Sequence, residues 1–200
     1  MNFLFHMLLS GDDDQLLVGN FMGDFVKGRL DDRFPPRIRQ GVALHRRIDS
    51  FAGSDPHFRQ SRLRISAHYG LYRGVLVDLF YDHFLVSEWE QWTDEPFQSY
   101  LDRTRAVVDQ HHRSLPERMQ PLIPVIFDEL LPSYSDVAGI GNALERMSRR
   151  VTRANPLAGG ETELTRHYEE LHDDFRSFMP AIRNFVDICL RDFDALNVSA

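Results

Sequence analysis

A single cysteine, Cys189, stands in 200 residues. It excludes an internal disulfide and a zinc site of paired thiolates, fits a reducing compartment, and reads as a core residue. No apolar run reaches the roughly 20 residues that a membrane-spanning helix needs, so no membrane is expected as a partner. The stretch Met1 to Leu9 is apolar but lacks a basic start and a small-residue cleavage site. It runs into Asp12-Asp13-Asp14, which is unlike a signal peptide, and the expected location is cytoplasmic. There is no Gly-rich phosphate loop of the P-loop or dinucleotide type and no Gly-x-Ser-x-Gly elbow. Sustained period-two alternation and hairpin signals are also lacking, which leaves little room for a sheet.

What is present is apolar spacing of helical period, interrupted by caps and prolines. Asp12 to Asp14 can cap a helix from about Gln15 to Lys27, with Gly28 as its stop. Pro35-Pro36 opens a second helix through Ile38, Val42, Leu44, Ile48 and Phe51, ended by Gly53. Asp55-Pro56 starts a short third one to about Ser66. A central helix spans Tyr69 to Trp89, and further helices are expected over Glu95–Arg113, Glu117–Leu131, Asp136–Arg153 and Glu161–Asp194. Pro180 is expected to interrupt or kink the last. The length fits one domain over residues 1–200. The predicted fold is all-α, an irregular helical bundle.

The charge is unevenly spread. The whole chain carries −7, yet Phe25 to Val75 holds eleven Lys and Arg against four acids, a surplus of seven positive charges. A basic surface on an acidic protein implies an acidic partner. Few aromatics interleave with these arginines, so nucleic acid is not expected.

Polar residues on apolar helix faces carry the chemistry. Asp78 and Asp82 are four apart on the central helix and leave one face. Two carboxylates facing a core need a metal ion, an arginine or a shared proton. Asn20 and Asp24 repeat the spacing on the first helix, and His45 and Asp49 on the second, with Arg46 alongside. His6 and His83 complete the set. All are types that suit a hard or borderline divalent ion. HD-type helical phosphohydrolases assemble His and Asp from several helices in this way, although the adjacent pair here is reversed, Asp82-His83. Glu169-x-x-His172 lacks the second motif of a di-iron bundle, and His111-His112 reads as a surface pair.

In their order and spacing, Met1-Asn2-Phe3-Leu4, His6, Gly19-Asn20-Phe21, Gly23-Asp24-Phe25-Val26-Lys27-Gly28, His45-Arg46-Arg47-Ile48-Asp49 and Asp78-Leu79-Phe80-Tyr81-Asp82-His83-Phe84-Leu85 resemble the acyl carrier protein phosphodiesterases, outlying members of the HD phosphohydrolase group. The likeness covers about Met1 to Trp89. The chain departs from the family pattern at Leu8 and over Ala52-Gly53-Ser54-Asp55. The resemblance implies hydrolysis of the phosphodiester joining 4′-phosphopantetheine to a serine of holo-acyl carrier protein. It also implies a divalent metal, manganese first and magnesium or iron(II) as alternatives. Catalytic roles then fall to Asp24, His45, Asp78 and Asp82, and metal ligation to these with Asp49, His6 and His83. Substrate contact falls to Asn20, Lys27, Arg46, Arg47, Arg62 and Arg64, with Arg46 on the phosphate. A basic rim of Arg29, Arg37, Arg39, Arg59, Arg62 and Arg64 would attract the acidic carrier. Two other classes stay open. One is a metal-dependent phosphohydrolase for a nucleotide or other small phosphoester. The other is a non-catalytic helical module whose acids are merely ion-paired with arginines.

Overall fold

The structure is a computed structural model and describes residues 1–198. Ser199 and Ala200, the end of the expected 1–200 domain, lie outside the described residues. All regular structure in that range is helical. In chain order the α-helices are α1 (Phe3–Leu8), α2 (Asp14–Phe21), α3 (Pro36–Ser54), α4 (Pro56–Arg64), α5 (Arg73–Ser87) and α6 (Trp89–Trp92). They continue with α7 (Phe97–Gln110), α8 (Leu131–Ser133), α9 (Val137–Arg150), α10 (Glu161–Arg166) and α11 (Tyr168–Val198).

The starts follow from local chemistry. Asp13 caps α2 by accepting from the Leu16 N–H, and Asp55 caps α4 by accepting from His57 and Phe58. Pro36 and Pro56 sit at first helical positions, where a missing N–H costs nothing. α5 is apolar on nearly every side, with Leu76, Leu79, Phe80, Tyr81, Phe84 and Leu85 fully buried. It is the central post, and α1, α4, α9 and α11 pack against it. α2 and α3 approach more closely than any side chain would allow: a Cβ on Gly19 would lie 2.1 Å from the Ile38 carbonyl oxygen, and one on Gly41 2.4 Å from that of Leu16.

Four expectations change. The first expected helix stops early: α2 ends at Phe21 and a single 3₁₀ turn, Gly23–Phe25, follows. The central helix starts late, at Arg73, because Gly70 takes a left-handed φ of 50° and breaks the preceding 3₁₀ segment. The expected helix 117–131 is instead a 3₁₀ turn, Gln120–Leu122, a π-helical stretch, Val125–Leu130, and α8. Last, Pro180 does not interrupt α11; the break falls at His167, between α10 and α11. Pro180 lies on the solvent side, as does Arg176, whose carbonyl loses its partner to the ring and can turn to water. The buried stripe of Phe175, Phe178, Met179 and Ile182 holds the helix together across that position.

Candidate active site

The site forms where α1, α2, α3 and α5 meet. Asn20, fully buried near the end of α2, organises it. Its side-chain amide donates to the His6 carbonyl at 2.7 Å and to Ser10 Oγ at 3.0 Å. Its Oδ1 is therefore an acceptor, and His6 Nδ1–H donates to it at 2.8 Å. The Asn20 backbone oxygen accepts from His45 Nδ1–H, also at 2.8 Å. Both imidazoles are thus locked in one tautomer, stacked at 3.8 Å and 17°. Both turn Nε2 away from Asn20.

Those two nitrogens face carboxylates. His6 Nε2 and His45 Nε2 each lie 3.3 Å from Asp49, on opposite oxygens, and His45 Nε2 lies 3.6 Å from Asp24. A lone pair facing a carboxylate is repulsive unless something positive intervenes. His6 Nε2 is buried with no hydrogen-bond partner, which is costly in a core. Atoms of His6, His45 and Asp49 lie within 4.8 Å of one another, close enough to share one metal ion. The donor set, two imidazoles and a carboxylate, fits a divalent cation, with Asp24 at its edge.

The charges respond to this crowding. Burial lowers His45, but Asp24 and Asp49 outweigh it and hold the imidazole up at about 9. Burial lowers His6 to about 4, with Asp49 opposing. Burial raises Asp49, yet the two histidines and the Met1 ammonium bring it well below the usual carboxylate range. Asp24 is likewise lowered, burial being outweighed by His45. The Met1 ammonium contacts Asp49 at 2.9 Å and Asp78 at 3.1 Å. It joins Asp78 to the cluster, and burial raises that carboxyl.

Two cavities meet at the acids. One, of about 320 Å³, is lined by Asp24, Asp49 and Asp78 and by Ala52, Gly53, Phe58, Gly74, Val75 and Met147. The other, of about 310 Å³, is lined by Asp24, Asp49, His45, Lys27 and Arg46 with the Gly23 and Gly28 turns. Gly23 is required here, because a Cβ on it would lie 2.1 Å from His45 Cγ.

The remaining expected residues lie elsewhere. Asp82 leaves α5 on the same side as Asp78 but is spent on backbone. It accepts from the Phe5 N–H at 3.1 Å and the Leu4 N–H at 3.3 Å, capping α1 from outside. His83 points to the far side, bonded to the Tyr134 carbonyl and to Tyr168 Oη. Asn20, expected to touch substrate, is sealed behind the histidines. Arg46 donates to the Val26 and Gly28 carbonyls and so shapes the 23–28 turn, while still lining the second cavity. Arg47 lies over the Phe193 ring, and Arg64 pairs with Asp174 at 2.8 Å. Of the expected rim, Arg37 pairs with Asp13 and Asp194, and Arg39 with Asp32. The sequence reading did not anticipate the Met1 ammonium or the glycine walls. Gly53, read as a helix stop although α3 runs on to Ser54, and Gly74, which was passed over, are the signal. Both are helical, a Cβ on Gly53 would meet nothing and one on Gly74 only Arg62 Nε at 3.9 Å, so neither backbone nor packing demands glycine there.

None of Asp24, Asp49 and Asp78 is paired with an arginine among the described residues. Their cationic neighbours are the Met1 ammonium and the two histidines instead.

No solved structure matches the chain significantly. Curated relatives do. A protein of Yersinia pestis named acyl carrier protein phosphodiesterase is 31% identical over 184 residues, 91% of this chain and 95% of that one. One of the same name from Pectobacterium atrosepticum is 32% identical over 182 residues, 90% and 94%. Another, from Photorhabdus laumondii, is 30% identical with 90% and 92% covered. The family described as acyl carrier protein phosphodiesterase matches residues 1–182, so that stacked histidines, facing acids and glycine-walled cleft all fall inside the match, and the chain belongs to that family.

Proposed function

We propose that this protein hydrolyses the phosphodiester linking 4′-phosphopantetheine to a serine of holo-acyl carrier protein, releasing apo-acyl carrier protein and 4′-phosphopantetheine. The observation that carries this reading is the convergence of His6, His45, Asp49 and Asp24 at the junction of two cavities, in a chain of this family. His6, His45 and Asp49 would hold the metal, manganese in our reading with magnesium or iron(II) as alternatives. Asp24 would reach it from the cavity edge. The ion would neutralise phosphate charge and make water a better nucleophile.

The rest is the work of side chains. Asp24 is 58% exposed, ionised and open to both cavities, so it can hold the attacking water and take its proton. The water oxygen forms the new bond to phosphorus, the bond from phosphorus to the seryl oxygen breaks, and that oxygen takes up a proton from solvent and leaves as the serine hydroxyl. Lys27 and Arg46 line the second cavity, where a phosphate oxygen would meet positive charge. The first cavity suits the pantetheine arm. Its walls are small or apolar, Ala52, Gly53, Phe58, Gly74, Val75 and Met147, and the two glycines leave open the space that side chains would fill. Asp78 also lines it. Asp82 and His83 have no place in this chemistry beyond holding α1 and the core. No described helix is long and apolar enough to cross a membrane. A cytoplasmic location is part of the proposal, as are an HD-like ancestry and one domain over residues 1–200.

The test is mass spectrometry of holo-acyl carrier protein incubated with enzyme and manganese. The expected result is loss of the phosphopantetheine mass, abolished by chelation. Retention of the group on the carrier while a panel of nucleotides or small diesters is cleaved would move the protein to the small-phosphoester class.

A further inference from the structure

Beside the proposed active site lies a third cavity, about 290 Å³, lined by Arg59, Arg62, Leu63, Gly70 and Arg73. It sits between α4 and the start of α5. Among the described residues none of the three arginines is paired with a carboxylate. Arg62 Nε is buried without a hydrogen-bond partner, and Arg73 Nε donates only to the Ser66 carbonyl. Neighbouring cations of the same segment are already neutralised: Arg33 by Asp31, Arg37 by Asp13, Arg39 by Asp32 and Arg64 by Asp174. Three of the segment's seven remaining cations thus line this one cavity.

Two further features set the place apart. Leu71 is 93% exposed and Leu63 69%, the two most exposed large apolar side chains described, and both belong to this stretch. The cavity also adjoins the active-site cleft. Arg73 precedes Gly74, which lines the cleft, and Arg62 Nε lies 3.9 Å from where a Gly74 Cβ would be.

We infer that this cavity and its leucine rim dock an acidic amphipathic helix of the protein substrate. Arg59 and Arg62 are one turn apart, so carboxylates spaced three or four residues apart on a facing helix would meet them in register. The chain has one lysine, Lys27, among its 23 basic residues, so its positive surface is almost wholly guanidinium, the group that holds carboxylates by two parallel bonds. Leu63 and Leu71 would cover apolar residues of the same helix. No aromatic side chain lines the cavity, which disfavours nucleic acid. The inference rests on the proposed reaction, since the occupant is its macromolecular substrate. The docked helix would hold the modified serine at the cleft mouth while the arm runs past Gly74.

The test compares wild type with Arg59→Glu and Leu71→Glu, both at exposed positions, and with Arg62→Glu. The substrates are holo-acyl carrier protein and the small diester bis(4-nitrophenyl) phosphate, the latter a control for an intact site. Binding of the carrier is measured separately, by calorimetry on metal-free enzyme. The expected result is a KM for the carrier raised about tenfold by each arginine reversal, with kcat held and the salt dependence of KM weakened. Carrier binding should weaken in the same ratio while small-diester turnover persists. Wild-type KM, salt dependence and binding in all three variants would overturn the docking face and leave the reaction standing. Small-diester cleavage by wild type with neither binding nor cleavage of the carrier would overturn the reaction and, with it, the docking. A wild-type dimer in sedimentation that the reversals dissociate would give the face to a second copy, and equally overturn the inference.

Discussion

One methyl group separates a working histidine from a displaced one. Gly23→Ala would place a carbon 2.1 Å from His45 Cγ, so the ring must move. The expected cost is about 1–3 kcal/mol of stability, with metal affinity falling alongside. Gly53→Ala is the opposite case. Its Cβ meets nothing, and the change should stabilise the protein by about 0.4–1 kcal/mol yet raise KM, because the methyl enters the cleft. Thermal melts and kinetics on both variants check the pair. Asp24→Asn should lower turnover about 10²–10³-fold and leave the melting temperature nearly unchanged, because Asp24 is more than half exposed and its ion-pair partner among the described residues is His45 alone. A destabilised but fully active Asp24→Asn protein would end the catalytic assignment. At this scale the sequence was partly readable. Four-residue spacing marked His45 with Asp49, and both join the cluster. It marked Asp78 with Asp82 equally, although Asp82 faces backbone N–H groups. A carboxylate on an apolar face looks the same in sequence whether it serves an ion or a helix end.

Helix α1 shows why Asp82 is needed. Six residues are too few to hold a helix alone, and its own cap residue, Asn2, makes no side-chain capping bond. Asp82 supplies the missing acceptor from α5, and α1 in turn carries His6. Asp82→Ala should cost about 2–4 kcal/mol, one to two unmet buried donors, and weaken metal binding through His6. Burial holds the Asp82 carboxyl up at about 8, against the lowering by Phe5 and Leu4. An aspartate in the unfolded chain titrates near ~3.9. The folded protein thus keeps a proton that the unfolded chain has lost. Stability from this group is complete below about pH 4 and is lost as pH rises through about 8. His45 adds no slope until about pH 6.5. Over roughly pH 4 to 6 His6, lowered to about 4 in the fold, opposes this slope, because the unfolded ring holds a proton there that the folded one has lost. The melting-temperature advantage of wild type over Asp82→Asn should therefore shrink as pH rises through that range. Helix existence was legible from period and caps. The ends were not: nothing in the sequence sets Gly70, with its positive φ, apart from Gly74, which is helical, and Pro180 is tolerated because it faces solvent beside a buried stripe.

For the molecule as a whole, metal and proton compete at one place. His45 keeps its proton to about 9 in the metal-free protein. An ion using Nε2 must displace it, so affinity should rise with pH, by up to about tenfold per unit as pH climbs toward 9, and level off above it. Calorimetry in buffers of different ionisation enthalpy would show about one proton released per ion. Manganese should also raise the melting temperature, more so at higher pH. A release of no proton would remove His45 from the ligand set. The distribution of charge was visible in the sequence as a basic segment. Which arginines stay unpaired was not, because Asp13, Asp174 and Asp194, which neutralise two of them, lie outside that segment.

The locked imidazoles also give the site a spectroscopic signature. Each Nδ1–H is buried and hydrogen-bonded at 2.8 Å, one to a side-chain amide oxygen and one to a backbone carbonyl. Protons so shielded exchange slowly with water and should give two resolved downfield lines in a proton NMR spectrum. Asn20→Ala should erase the His6 line by freeing its ring. A diamagnetic ion such as magnesium or zinc should shift both lines together, so occupancy of the centre could be followed with no substrate present.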